Sequence, residues 1–300
     1  TLDYIHSDLW GPSQVPSLSG ARYLLTFIDD YSRKVWIYTL KNKNDVFQKF
    51  KEWKPMIEKQ TGKKVKRLRT DNGLEFCSGE FNEFCRKEGI VRHRTVKGTP
   101  QQNGVAERMN RTVLERARCM LFTAGLPKKF WAEAVNTASY LVNRSPSTAI
   151  ECKTPDELWS DKPADYSCLR IFGCPAYAHV SDGKLKPRAK KCIFLGYGQG
   201  VKGYRLWCPD PKSPKFLISR DVIFNEPFML HQKKDSFDTD ANCSESDKHQ
   251  VELQFDASET MPEAITNQPT EEEVQHEEAP PLQQDTIAAR RQRRQIKPPR

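Results

Sequence analysis

The sequence predicts an α/β fold with a mixed sheet, followed by a small β-rich region and a disordered tail. Residues 1–148 alternate strand-like apolar runs with segments of helical periodicity, the pattern of layered α/β proteins. Residues 149–230 hold short aromatic runs between turns, whereas residues 231–300 have few aromatics, many acids and a basic end. We therefore predict three regions with these boundaries.

The elements of the first region follow in the order strand, hairpin, helix, strand, helix, strand and two helices. Two β-rich runs, 22–28 and 34–40, flank a polar turn and predict the hairpin. Asn44 or Asp45 can begin the first helix, and Pro127 suits the start of the last one. The remaining segments follow from apolar spacing: strands over 2–9, 65–70 and 90–96, and helices around 81–85, 105–121 and 131–142.

The second and third regions lack helical periodicity for different reasons. Short strand candidates occur at 171–172, 176–180, 192–195, 204–208 and 216–218, which indicates a small barrel or sheet. Residues 235–285 contain fifteen acids and one lysine and cannot bury enough apolar area to offset the entropy of ordering. We therefore expect residues 231–300 to be disordered.

Charge and composition limit the classes of function that this chain can have. The net charge of +9 divides into 39 basic against 24 acidic residues before position 231, or +15, and 9 against 15 after it, or −6. A basic body suits a polyanionic partner such as nucleic acid, although a well-solvated basic surface is the alternative. No run of eighteen apolar residues or secretory signal is present, and nine cysteines without a CxxC pair fit a reducing compartment.

Three acidic residues stand out by position. Asp8 falls at the end of the first predicted strand, Asp71 follows the strand 65–70, and Glu107 lies in the first turns of the long helix. Two strand-end acids and one helix acid can converge at a sheet edge, where their hard oxygens suit Mg²⁺ or Mn²⁺. Each acid also has an ordinary interpretation: a turn for Asp8 or Asp71, and pairing with Arg111 for Glu107.

A set of motifs in fixed order resembles the integrases of retroviruses and retrotransposons, most closely those of the copia type. Asp71 and Glu107 are separated by 35 residues with Asp8 upstream, as in the Asp, Asp, Glu triad of these enzymes. The similarity covers roughly residues 1–226. The matching stretches are HSDLWGP at 6–12, FIDDYSR at 27–33, RTDNGLEF at 69–76, TPQQNGVAERMNR at 99–111, FWAEAV at 130–135, FGCPAY at 172–177, KCIFLGY at 191–197 and KGYR at 202–205.

The resemblance implies an RNase H-like catalytic core that performs DNA 3′-end processing and strand transfer. It makes Asp8, Asp71 and Glu107 the catalytic metal ligands, with two Mg²⁺ or Mn²⁺ ions as cofactors. The implied partners are element-end DNA, target chromosomal DNA and further copies of the chain, with synthesis in the cytoplasm and reaction in the nucleus. Because the chain begins just before Asp8, we expect a segment of a longer polyprotein.

Further residues are candidates for DNA contacts. Lys97, Arg108 and Arg111 can touch phosphates, and Gln102 and Asn103 flank the predicted site. Loop hydrogen bonding and a solvated helix face are the alternatives. The sequence favours a packing role for His6 and a turn role for Asp29 and Asp30.

Rival functions remain open at this level. A related nuclease or transposase would use the same triad, a domesticated or inactive module would bind nucleic acid without catalysis, and a polyprotein spacer would do neither. Retention of all three acids favours an enzyme.

Overall fold

The mixed α/β fold predicted from the sequence is confirmed. A computed structural model describes residues 1–96, 103–180, 187–198, 200–210 and 214–228, which all belong to one compact unit, Thr1–Ala241. The predicted tail, 231–300, lies outside the described residues, and the boundaries after 148 and 230 stay predictions. No helix among the described residues is long and apolar enough to cross a membrane.

The first sheet contains five strands in the order β3-β2-β1-β4-β5, and helices pack on both faces. β1–β2 and β2–β3 are antiparallel, whereas β1–β4 and β4–β5 are parallel. The elements are β1 Ile5–Trp10, β2 Tyr23–Asp29, β3 Val35–Leu40, α1 Asp45–Thr61, β4 Arg67–Thr70, α2 Leu74–Cys77, α3 Gly79–Lys87, β5 Val91–Arg94, α4 Gly104–Ala124 and α5 Trp131–Asn143.

Alternation along the strands divides the apolar residues into two cores. One core lies between the sheet and α1 and α3, where Phe27 stacks on Trp53 at 4.4 Å. The other core lies under α4 and α5 and takes Leu24 and Ile28 from β2. His6, Asp8 and Trp10 are alternate residues of β1 and therefore point to the same face of the sheet. Trp10 packs against this second core, so Asp8 lies on the face covered by α4.

A second sheet follows the short helix α6 (Pro155–Ser160). Its strands, in the order β10-β6-β7-β8-β9, are β6 Pro175–His179, β7 Ala189–Tyr197, β8 Tyr204–Trp207, β9 Phe216–Ser219 and β10 Val222–Phe224. The strand predicted at 171–172 is wrong, because Phe172 is buried in a turn in which Gly173 has φ +82°.

Helix α5 joins this sheet to the core. Thr137 Oγ1 donates to the carbonyl of Leu195 at 2.6 Å, and Arg205 pairs with Glu133 through two bonds of 2.7 and 3.0 Å. Gly196, with φ +145°, admits this approach, because a Cβ there would lie 2.3 Å from Thr137 Oγ1.

Candidate active site

Asp8 lies on β1, and Asp71 directly follows the neighbouring parallel strand β4. Ile5 pairs with Leu68 and His6 with Arg69, so the same register carried two residues further places Asp8 opposite Asp71, directly after β4. Paired residues of adjacent strands point to the same face of a sheet, and adjacent strands are about 4.8 Å apart. The parallel pairing therefore brings together two acids that are 63 positions apart in the sequence.

The environment of Asp8 disfavours its negative charge. Burial, followed by the charge of Asp71 and more weakly that of Glu107, raises the pKa of Asp8 from 3.8 to about 6. The amide of Asn110 opposes this shift by donating to Asp8 Oδ2 at 2.7 Å. The two other predicted acids thus both repel the charge of Asp8, and a cation beside Asp8 would relieve this repulsion.

The loop after β4 holds Asp71. The backbone N–H of Gly73 donates to Asp71 Oδ1 at 3.0 Å, and Asn72 ties the loop to the end of β5 by donating to the carbonyl of Thr95 at 2.6 Å. Asn72 therefore fixes the position of this loop relative to β5. No described residue donates to Asp71 Oδ2, so this oxygen is available to a ligand.

Glu107 lies in the first turn of α4, three residues before Asn110, and its side chain is exposed. The helix starts beside β1, where the buried amide of Asn103 donates to the carbonyl of Ser7 at 3.4 Å. Asn103 thus fixes α4 against the strand that carries Asp8, and a DNA contact by Asn103 stays a prediction.

The remaining predicted DNA contacts differ in position. Arg108 and Arg111 are exposed on α4, and Arg111 lies 3.9 Å from Glu115 in a helical i,i+4 pair. Lys97 and Gln102 lie outside the described residues. Neither arginine is buried in the fold, so both are accessible to a phosphate.

The three predicted metal ligands are not arranged as an ion-binding group in this structure. Within the described ranges, no three His, Cys, Asp or Glu side chains lie close enough to hold an ion. The β1–β4 register, extended past its last pair His6–Arg69, sets Asp8 opposite Asp71, whereas Glu107 is the outlying member on the helix. The cysteines of the second sheet likewise form no group of three metal-binding side chains among the described residues, and their spacing in the sequence is not that of a zinc site.

Two other polar groups near β1 are structural. Asp29 is fully buried and accepts from the backbone N–H groups of Leu2 at 2.7 Å and Ser32 at 2.9 Å, which fixes the β2–β3 turn. His6 is buried and its Nε2 lies 2.9 Å from Asp30 Oδ1. Asn110 was not predicted, although its place one turn after Glu107 on the same helix is the signal that could have found it.

Comparisons with known proteins agree with this architecture. Residues 2–100 match the integrase core domain, and residues 174–238 match the retroviral polymerase SH3-like domain. These two domains define a polynucleotide-processing class in which an α/β core precedes a small β-rich domain.

The chain resembles particular retrotransposon proteins over most of its length. It is 52% identical over 228 residues to the retrovirus-related Pol polyprotein from transposon TNT 1-94 of Nicotiana tabacum, covering 75% of this chain and 17% of that protein. It is also 57% identical over 83 residues to an uncharacterised mitochondrial protein of Arabidopsis thaliana, AtMg00710, covering 28% of this chain and 69% of that protein. The chain belongs to the integrase family of retrotransposon Pol polyproteins. It spans about a sixth of the length of the TNT 1-94 polyprotein.

Among solved structures, the HTLV-2 integrase catalytic core domain in complex with magnesium is similar at a TM-score of 0.39 and 21% identity, covering 52% of this chain and 94% of that one.

Proposed function

We propose that this chain is the catalytic segment of a copia-type retrotransposon integrase, which trims DNA 3′ ends and joins them to target DNA. The observation that carries the proposal is the Asp8–Asp71 pair at one edge of the sheet, with Glu107 near enough to raise the pKa of Asp8. Membership of the integrase family and the net charge of +15 before residue 231 support it.

The donor set fits Mg²⁺ or Mn²⁺, because carboxylate oxygens are the ligands these ions prefer. Asp8, Asp71 and Glu107 would hold two ions, which when bound would activate the attacking oxygen and stabilise the leaving 3′ oxygen. Asn110 and the Gly73 N–H each fix one oxygen of an aspartate, which preorganises the pair. Glu107 is exposed, and its side chain can rotate toward the pair.

The other predicted residues would bind DNA. Arg108 and Arg111 follow Glu107 on α4 and would contact phosphates, which position DNA without reading its sequence. Lys97 and Gln102, which precede the same helix, would extend this contact. The proposed partners are element-end DNA, target chromosomal DNA and further copies of the chain, and the proposed place of reaction is the nucleus.

A strand-transfer assay with Mg²⁺ or Mn²⁺ tests the proposal. Asp8→Asn, Asp71→Asn and Glu107→Gln should each abolish joining, while folding and salt-sensitive DNA binding remain. Glu115→Gln is the matched control, because Glu115 is an exposed acid two turns further along the same helix. Full joining by any of the three variants would refute the assignment of the site.

Product analysis separates the rival functions. Cleavage without joining would assign a nuclease of the same triad. DNA binding without reaction, in a protein whose biological role survives Asp71→Asn, would assign a domesticated binding module.

A further inference from the structure

A second polar row crosses the sheet beside the aspartate pair. His6 on β1 pairs with Arg69 on β4, and Arg69 pairs with His93 on β5. This row lies two residues before Asp8 and Asp71 on their strands, and therefore on the same face, about 6.6 Å away along the strands. Arg69 and His93 are partly exposed.

A hydroxyl links two members of the row. Arg69 Nη1 donates to Tyr4 Oη at 3.1 Å, and Tyr4 Oη lies 3.0 Å from His93 Nδ1. When Tyr4 Oη donates to His93 Nδ1, the protonated nitrogen of His93 is Nε2, which is then a free donor. Tyr4 thus holds a guanidinium and an imidazole side by side.

Hydrogen bonds within the protein leave some polar atoms of this row without a partner. Arg69 Nε and His6 Nδ1 are buried and have no hydrogen-bond partner, and His6 as a whole is only 6% exposed. No described carboxylate lies within ion-pair distance of Arg69, whereas Asp30 is shared by His6 at 2.9 Å and Arg33 at 3.0 Å. Buried polar atoms that serve only the fold normally have hydrogen-bond partners, and these two atoms of Arg69 and His6 have none.

We infer that Arg69 and His93 bind a phosphate of the DNA whose neighbouring phosphodiester lies at Asp8 and Asp71, and that Tyr4 positions Arg69 for this contact. The inference rests on the proposed function, since that function places DNA at the aspartate pair. An unpaired arginine with an adjacent imidazole N–H matches the charge and the acceptor oxygens of a phosphodiester. The contact lies on β4 and β5, a surface separate from the arginines of α4.

Equilibrium binding of duplex DNA in EDTA, measured over a range of salt concentrations, tests the contact without catalysis. Arg69→Gln removes the charge but keeps a donor for Tyr4 Oη. It should weaken binding equally for unrelated sequences and should lower the slope of log K against log salt by about 0.9, the loss of one phosphate contact. Arg94→Gln is the matched control: Arg94 carries the same charge on neighbouring β5 but faces the other side, where it donates to Asn82. This control should leave the slope at the wild-type value.

A wild-type slope in Arg69→Gln, or an equal loss in Arg94→Gln, would overturn the inference. If Arg69→Gln does not fold, His93→Gln and Tyr4→Phe test the same contact with the arginine in place, and both should weaken binding. Unchanged binding in these two variants would also overturn it. Failure of strand transfer with the Arg69 effect intact would instead count against the proposed function alone.

Discussion

The negative charge of Asp8 should lower the free energy of unfolding at neutral pH, so that removing this charge stabilises the protein. Burial and the charge of Asp71 raise the pKa of Asp8 from 3.8 to about 6. The folded chain therefore binds this proton more tightly than the unfolded chain does, and stability falls as pH rises from about 4 to about 6. At about 1.4 kcal/mol per pKa unit, the cost reaches roughly 3 kcal/mol above pH 7.

Asp8→Asn tests this reasoning, because asparagine keeps the shape and can still accept the hydrogen bond from Asn110. In urea unfolding with EDTA, the free energy of unfolding of the variant should exceed that of wild type by roughly 3 kcal/mol at pH 7.5 but by only about 1 kcal/mol at pH 4.5. Asp3→Asn is the control: Asp3 is an exposed acid whose pKa is lowered by Lys66, so its removal should bring no gain.

The pH dependence is the decisive measurement. A variant that is no more stable than wild type at pH 7.5 would show that the charge of Asp8 does not destabilise the folded state. A gain that is equal at both pH values would show that stabilisation comes from packing rather than from titration. Combined with loss of strand transfer, the expected gain would identify Asp8 as a residue kept for chemistry at the expense of the fold.

Two further changes probe the scaffold by urea unfolding. Lys54→Ala should destabilise by more than about 1 kcal/mol, because the buried carboxylate of Glu58 loses the ammonium 2.9 Å away and keeps only the exposed Lys64 at 3.2 Å as a cation; a smaller loss would contradict a buried ion pair. Gly173→Ala should cost more than Gly62→Ala, since both have positive φ but only at Gly173 would the new Cβ meet a neighbour, Ala124 Cβ at 2.2 Å. The left-handed backbone alone accounts for about 1–2 kcal/mol, and equal losses would show that the contact with α4 relaxes freely.

The aspartate pair was within reach of the sequence because it depends on local signals. Asp8 lies near the end of one apolar strand pattern and Asp71 follows another, and strand ends of a layered α/β fold meet at one edge. The register that sets Asp8 opposite Asp71 was not within reach, since it depends on which residues of β1 and β4 exchange hydrogen bonds. Glu107 was predicted on its helix, but its outward orientation depends on side-chain rotation that no sequence pattern specifies.

Short elements escaped prediction for identifiable reasons. Helix α6 has six residues, too few for a helical period, although Thr154 and Glu157 form a capping box that is visible in the sequence. The strand predicted at 171–172 was wrong because two apolar residues suit a buried turn as well as a strand. The link between Tyr4, Arg69 and His93 joins three segments far apart in the chain, so only the folded sheet reveals it.

Some of the unsatisfied polar atoms of the protein lie around the aspartate pair. Of the nine buried side-chain atoms without a hydrogen bond in the described part of the chain, those of His6 and Arg69 lie on β1 and β4, and those of Asn103 and Asn110 lie at the start of α4. The other five belong to Ser7, on the opposite face of β1, and to Arg33, Trp53 and Arg92. Each such atom costs folding free energy, and a fold selected for stability alone would fill these positions with apolar side chains. Together with the raised pKa of Asp8, the four atoms near the pair concentrate an unfavourable folding term where β1, β4 and α4 meet, which is where the proposed site lies. The fold bears this cost because its two apolar cores lie on either side of the sheet and supply the stability that the site lacks.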